Sequence, residues 1–180
     1  LALLRDAQQS AAPEALARRG AAVTGLDGAG EALQAARAHA DAAGLAIDYR
    51  EGVPEDLPAN TTFDAVIALE VIEHVADRQA FLAALARATR PGGLVFLSTL
   101  NRTPRSFLMA KLGAEYLLRM LPIGTHDWKM FVTPSELGAG LRGAGLAVTD
   151  IAGMAMDKLT GRWRATRDVG VNYIVMARQP

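Results

Sequence analysis

Glu70-Val71-Ile72-Glu73-His74-Val75 delivers two carboxylates and an imidazole directly after the apolar run Phe63 to Leu69. Such side chains can hold a cation, accept a proton or orient a polar reactant. A second apolar run, Leu94 to Thr99, follows the break Pro91-Gly92-Gly93 and closes on Leu100-Asn101-Arg102. In an open parallel sheet, ligands bind outside the carboxyl ends of the strands. Glu70, Glu73, His74, Thr99 and Asn101 are therefore expected to line one crevice.

The elements that must hold these groups alternate along the chain. Ala21 to Leu26, Leu45 to Arg50, Phe63 to Leu69 and 94–99 read as strands. Between them, Glu31 to Ala43 reads as a helix stopped by Gly44, and Asp77 to Thr89 as a helix with Phe81, Leu82, Leu85 and Ala88 on one face. After an interruption over residues 103–130, a helix Pro134 to Leu141 and strands Ala147 to Ile151 and Tyr173 to Ala177 complete the pattern. This is the rhythm of βαβ units, an α/β fold with a mostly parallel sheet. The 180 residues, 51% of them hydrophobic, suit one domain over 1–180 with a core covered on both faces.

Charge and composition exclude some classes. Lysine plus arginine number 19, as do aspartate plus glutamate, so the basic bias of a nucleic-acid binder is absent. There is no cysteine, hence no disulfide or thiolate chemistry, which is compatible with a reducing cytoplasm. No run approaches the roughly 20 apolar residues of a spanning helix. The start Leu1-Ala-Leu-Leu-Arg5 lacks the order of a signal peptide. A cytoplasmic location, in solution or peripheral on the inner membrane, is expected.

Asp27 closes the first of these strands and is followed by Gly28-Ala29-Gly30. An acidic residue there can accept hydrogen bonds from both hydroxyls of a nucleoside ribose, with small neighbours admitting the base. The plainer role is an N-cap for the next helix. A ribose-binding acid should be preceded by a strand and a glycine-rich turn, because only glycine lets backbone amides close on the ligand. Leu1 to Pro13 contains no such turn, and the first glycine is Gly20.

These residues carry a resemblance. Val23-Thr24-Gly25-Leu26-Asp27, Glu70 to Val75 and Arg90-Pro91-Gly92-Gly93 resemble the motifs of class I S-adenosylmethionine-dependent methyltransferases. Five further motifs narrow the resemblance to the ubiquinone-biosynthesis O-methyltransferases. They are Ser98 to Arg102, Gly113 to Met120, Pro122-Ile123-Gly124-Thr125-His126-Asp127, Pro134 to Leu137, and Asp168 to Tyr173. The similarity runs from about Glu14 to the C-terminus. It implies a Rossmann-like sandwich with a mostly parallel sheet and an antiparallel last strand, the first strand and glycine loop being atypical or missing here. It implies S-adenosyl-L-methionine as cofactor, bound by Asp27, Gly28 and Leu69, and a polyprenylated phenol or catechol as substrate.

In the reaction the resemblance implies, a phenol oxygen attacks the sulfonium methyl in line. Positioning alone supplies about 7–11 kcal/mol of barrier lowering. A divalent ion on Glu70, Glu73 and His74 would lower the catechol pKa and orient its two oxygens. Positions i, i+3 and i+4 share a face if a helical turn begins at Glu70. Magnesium is the natural ion, although one imidazole among hard oxygen ligands also suits manganese or zinc. The alternative is that these groups contact the cofactor's methionyl end or the substrate directly. Glu70 and His74 are thus candidate catalytic residues. His126, beside Asp127, is another candidate base, or else fixes the insertion by a hydrogen bond.

Residues 105–121 place Lys111, Glu115 and Arg119 on one narrow polar stripe of an otherwise apolar helix pattern. Such a helix lies in an anionic membrane interface, or closes as a lid or dimer surface. The first suits a greasy substrate, so 103–130 is expected to be a substrate- and membrane-facing insertion. Other quinone-biosynthesis enzymes are further candidate partners. Trp128 is expected to line the substrate pocket, Trp163 to sit at the sheet edge, and His39 to be exposed or structural.

Overall fold

The computed structural model describes residues 1–3, 11–109, 128–157 and 163–180. Its strands form one eight-stranded sheet in the order β3-β2-β1-β4-β5-β8-β6-β7. These are β1 (Ala2–Leu3), β2 (Val23–Asp27), β3 (Ile47–Glu51), β4 (Phe63–Leu69), β5 (Thr89–Leu100), β6 (Ala147–Met156), β7 (Trp163–Thr166) and β8 (Asn172–Arg178). The first five run parallel, and β8 is antiparallel to both β5 and β6. The expected α/β architecture with an antiparallel last strand is the one observed.

Strand β1 decides between an atypical and a missing first strand. A first strand is present, although only Ala2 and Leu3 form it, paired with Gly25 and Leu26 on one side and Ile67 and Ala68 on the other. Two residues are too few for a period-2 pattern to emerge from sequence. Their position between β2 and β4 makes this the switch point of the sheet, where the strand order reverses and a crevice opens.

The helices follow from their apolar spacing and caps. Helix α1 (Ala11–Ala17) was not anticipated, because it is short and carries Pro13 in its first turn. Its buried Glu14 is tied to Arg18 and to His39 of α2 (Gly30–Ala42), so His39 has a structural role. Within α2, Leu33, Ala36 and Ala40 bury one stripe against Tyr49. In α3 (Arg78–Arg87), Asp77 is the N-cap and accepts from the N–H groups of Gln79 and Ala80 at 3.0 and 2.9 Å. Its buried Phe81, Leu82 and Leu85 meet Val66, Val95 and Val175 in the main core.

Past α3, Arg90-Pro91-Gly92-Gly93 begins β5 through an irregular register with β4. A Cβ on Gly93 would stand 2.8 Å from the Arg90 carbonyl oxygen, so this approach admits only glycine. Beyond β5 lie the short α4 (Pro104–Ser106) and α5 (Pro134–Gly143), both started by threonine capping boxes. Strand β7 was unanticipated. Its Trp-Arg-Ala-Thr sequence lacks alternation, and Trp163 stands 64% exposed on this edge strand. Among the described residues no helix is long and apolar enough to cross a membrane.

Candidate active site at the strand ends

A cleft of about 290 Å³ opens at the carboxyl ends of β2 and β3 and is walled by the segment after β4. Asp27, Gly28, Gly52 and Val53 form one side; Val71, His74 and Val75 form the other. Asp27 is 6% exposed, and its Oδ1 accepts from the N–H of Ala29 at 2.7 Å while its carbonyl accepts from Gly52 N–H at 2.9 Å. This fixes the carboxylate at the cleft. The helix N-cap is Ala29 and no side chain caps it, so Asp27 is not the N-cap of α2.

Gly52 adopts φ 141, a conformation open to glycine and strained for other residues. Sequence reading missed Gly52, Val53, Pro54 and Glu55 as cleft residues. The available signal was the Gly-Val-Pro break immediately after an acid-ended strand. The apolar walls Val71, Val75 and Phe81 leave Asp27, Glu55 and His74 as the polar side chains of the lining.

The turn after β4 differs from the regular helical start that the spacing argument assumed. Glu70 has φ 51, the left-handed region, and a short 3-10 turn runs from Ile72 to His74. A non-glycine residue there costs about 1–3 kcal/mol and persists only where its surroundings hold it. They do so here. The Glu70 N–H donates to the Ser98 carbonyl at 3.0 Å and to Ser98 Oγ at 3.2 Å, and Ser98 Oγ donates back to Glu70 Oε1 at 2.7 Å.

Next on β5, Thr99 is fully buried and donates its hydroxyl to Glu73 Oε2 at 2.9 Å. Consecutive strand side chains point to opposite faces, so Ser98 and Thr99 draw Glu70 and Glu73 apart. Glu73 is only 2% exposed, and its Oε1 lies 4.0 Å from His74 Nε2. Among the described residues no three acidic or histidine side chains gather to hold a metal ion. As arranged here, then, Glu70, Glu73 and His74 do not fit one shared ion: the first faces Ser98, the second is sunk against Thr99, and the third lines the cleft. The single crevice expected for Glu70, Glu73, His74, Thr99 and Asn101 is likewise corrected, since His74 alone of the five lines the cleft and Glu73, Thr99 and Asn101 are buried. Leu69 ends β4 in register with Ser98, and the cleft residue of this stretch is Val71.

Three of the narrower motifs meet in one clasp beside the site. Asn101 Nδ2 donates to the Val169 carbonyl at 2.9 Å, Thr103 Oγ1 to the Gly170 carbonyl at 2.6 Å, and Arg105 pairs with Asp168 at 2.6 Å. Arg102 binds Glu136 of the α5 capping box. A Cβ on Gly153 of β6 would fall 1.8 Å from the Asp168 carbonyl oxygen, so the clasp also requires that glycine. Tyr173 is wholly buried and donates its hydroxyl to the Val132 carbonyl at 2.9 Å. Burial first, then the carboxylates of Glu136, Glu73 and Glu70, pushes the Tyr173 phenol well above its ordinary pKa and keeps it a donor.

Trp128 donates its indole N–H to the Thr103 carbonyl at 3.1 Å and meets Phe107 edge to face at 6.1 Å. It therefore closes the base of the 103–130 segment. His126, the motifs 113–120 and 122–127, and most of the 105–121 stripe lie outside the described residues.

Comparison with known proteins agrees with this architecture. Residues 9–97 match a family described as "Methyltransferase domain". The chain is 51% identical over 168 residues to the ubiquinone biosynthesis O-methyltransferase of Methylobacterium sp. (strain 4-46), covering 93% of this chain and 68% of that protein. Its counterpart in Pseudomonas aeruginosa (strain PAO1) is 47% identical over 170 residues, covering 92% of this chain and 72% of the relative. Among solved structures, magnesium protoporphyrin IX methyltransferase from Synechocystis PCC 6803 with bound SAH superposes with a TM-score of 0.70 at 18% identity, covering 100% of this chain and 74% of that one. That likeness concerns the fold alone.

Proposed function

The chain belongs to the ubiquinone-biosynthesis O-methyltransferases, within the S-adenosylmethionine-dependent methyltransferases, and on that premise we propose that it methylates a phenolic oxygen of a polyprenylated catechol or phenol intermediate. The observation that carries the reading is the cleft at the carboxyl ends of β2 and β3, with a buried carboxylate on one wall and an imidazole on the other. S-Adenosylmethionine supplies an electrophilic sulfonium methyl: the O–C bond forms as the S–C bond breaks, and the phenol proton leaves to a base.

The chain's own residues fit the remaining tasks. Asp27 accepts from the ribose hydroxyls, and Gly28 and Gly52 keep Cβ atoms out of the nucleoside's path. Val71, Val75 and Phe81 exclude water from its apolar face. Glu70 and His74, on the turn after β4, orient the acceptor and take its proton, with His126 a second candidate base. The segment 103–130 covers the acceptor and meets an anionic membrane surface in which the prenyl tail stays. The protein then works in the cytoplasm, peripheral on the inner membrane, where other enzymes of the pathway are candidate partners.

Calorimetry with S-adenosylmethionine and its demethylated product, followed by transfer assays on catechols with and without a prenyl tail, tests the reading. Cofactor binding and faster methylation of the tailed acceptor are expected. Faster turnover of an untailed acceptor would overturn the substrate class, and failure to bind cofactor would overturn the activity. The metal-assisted form of the reading places magnesium on Glu70, Glu73 and His74, which requires Glu70 and Glu73 to leave Ser98 and Thr99. Lost turnover in excess chelator, recovered with magnesium, supports that form; full turnover in chelator leaves Glu70 and His74 a direct polar role, with Glu73 held against Thr99.

A further inference from the structure

Glu70 is the described residue other than glycine with a positive φ, and it sits where β4 delivers the chain to the site. Both its main chain and its side chain are tied to one residue. Ser98 stands in register with Leu69, so its carbonyl extends the β4–β5 ladder by one bond and takes the Glu70 N–H at 3.0 Å. Its hydroxyl then does two things: it accepts from the same N–H at 3.2 Å and donates to Glu70 Oε1 at 2.7 Å. The second bond fixes the side-chain torsions of a residue whose backbone torsions the first already fixes.

We propose that Ser98 is a positioning residue for methyl transfer, its hydroxyl holding the Glu70 carboxylate in the orientation that meets the acceptor phenol. The inference rests on the reading of Glu70 as an acceptor-side group. Neighbouring Thr99 makes a similar bond to Glu73, but that carboxylate is sunk in the core, so its tie holds the fold. Ser98 is also buried, at 2% exposure, yet the carboxylate it holds belongs to a half-buried residue directly before Val71 of the cleft wall. The ladder bond to the Ser98 carbonyl survives removal of the hydroxyl. Ser98→Ala therefore releases the carboxylate without orphaning the Glu70 N–H.

The experiment compares Ser98→Ala, Ser98→Thr, Glu70→Gly and the Ser98→Ala/Glu70→Gly pair for kcat, KM, binding of S-adenosylhomocysteine and melting temperature. Glycine at 70 relieves the positive φ, so that background stays folded. Ser98→Ala should lower kcat about tenfold, the scale of a lost hydrogen bond to a charged group. Its S-adenosylhomocysteine affinity and KM for S-adenosylmethionine should match the parent, and Ser98→Thr should recover most of the rate. In the Glu70→Gly background, Ser98→Ala should have no further effect, since the two act as one unit. An unchanged kcat in Ser98→Ala, or an equal loss in both backgrounds, overturns the positioning role while leaving Glu70 in the mechanism. Parent-like kcat in Glu70→Gly overturns the reading of Glu70 and this proposal with it. If Ser98→Ala melts early, Ser98→Cys keeps the volume with a weaker donor and is scored by the same criteria.

Discussion

The two halves of the sheet use their polar residues in opposite ways. From β3 to β4 the strands are parallel, and their carboxyl ends leave a cleft between Asp27 and His74. From β5 to β7 the strands are linked by antiparallel pairing, and the polar groups at their ends bind one another: Asn101 to Val169, Thr103 to Gly170, Arg105 to Asp168 and Arg102 to Glu136. The superfamily-wide motifs at Asp27 and Glu70 lie in or beside the first half. The narrower motifs at Ser98–Arg102, Pro134–Leu137 and Asp168–Tyr173 build the second. On the proposed function, the polar residues that open onto the cleft serve the cofactor common to the superfamily, and those closed on one another frame the acceptor.

If that division holds, damage to the second half should appear first as lost stability. Tyr173→Ala removes a wholly buried aromatic side chain and leaves the Val132 carbonyl without its donor. A loss of about 3–5 kcal/mol is expected. Denaturant unfolding should show it as a lower midpoint, and Tyr173→Phe should lose less because the ring still fills the core. Equal losses in the two variants would mean that the hydroxyl, not the packing, holds this half together.

Asp27→Ala should show the reverse signature in the first half. On the proposed role of Asp27 as acceptor from the ribose hydroxyls, its loss should weaken cofactor binding by about 1.5–3 kcal/mol. The fold loses one bond from the Ala29 N–H, at a site that opens to water. Calorimetry and melting on the same variant check both parts. A large fall in melting temperature at parent affinity would make Asp27 a structural residue and erase the contrast between halves.

Sequence pattern reached the first half more readily than the second for physical reasons. Strand β4 was placed to the residue because six apolar residues around Asp64 are bounded by polar Thr62 and Glu70, and α3 was legible from Phe81, Leu82 and Leu85 recurring on one helical face. Asp27 was legible as an acid closing a strand. The converging triad was not sound, because i, i+3, i+4 spacing fixes a face only in a regular helix and Glu70 leaves the helical region. The roles of Ser98 and Thr99 were hidden since strand alternation tells which residues face apart but not which loop carboxylate each will meet. Gly52 was overlooked because its partner, the Asp27 carbonyl, is 25 residues away and carries no side-chain signature. Two-residue β1 and exposed β7 gave no period to read.

The smallest expected effect tests whether the second half is closed by charge as well as by packing. Thr133 N–H and hydroxyl both donate to Glu136 Oε2 at 2.9 Å, and Arg102 binds the other oxygen. Above all the Thr133 N–H, and then Arg102, hold the Glu136 carboxyl below its ordinary pKa near 4.5, against the opposing effect of burial. A folded pKa below the unfolded one means the unfolded chain binds the proton first as acid is added. The contribution is therefore complete above about pH 4.5 and is lost as pH falls through the lower folded value. Thr133→Ala should cost about 1 kcal/mol near neutral pH as a lost cap, and should leave most of the acid limb of the stability curve in place, because alanine keeps the backbone N–H that chiefly lowers the Glu136 pKa. Glu136→Gln should flatten that limb. Urea unfolding from pH 3 to 7 measures both, and an acid limb as steep in Glu136→Gln as in the parent would mean that other carboxylates govern acid stability in this half.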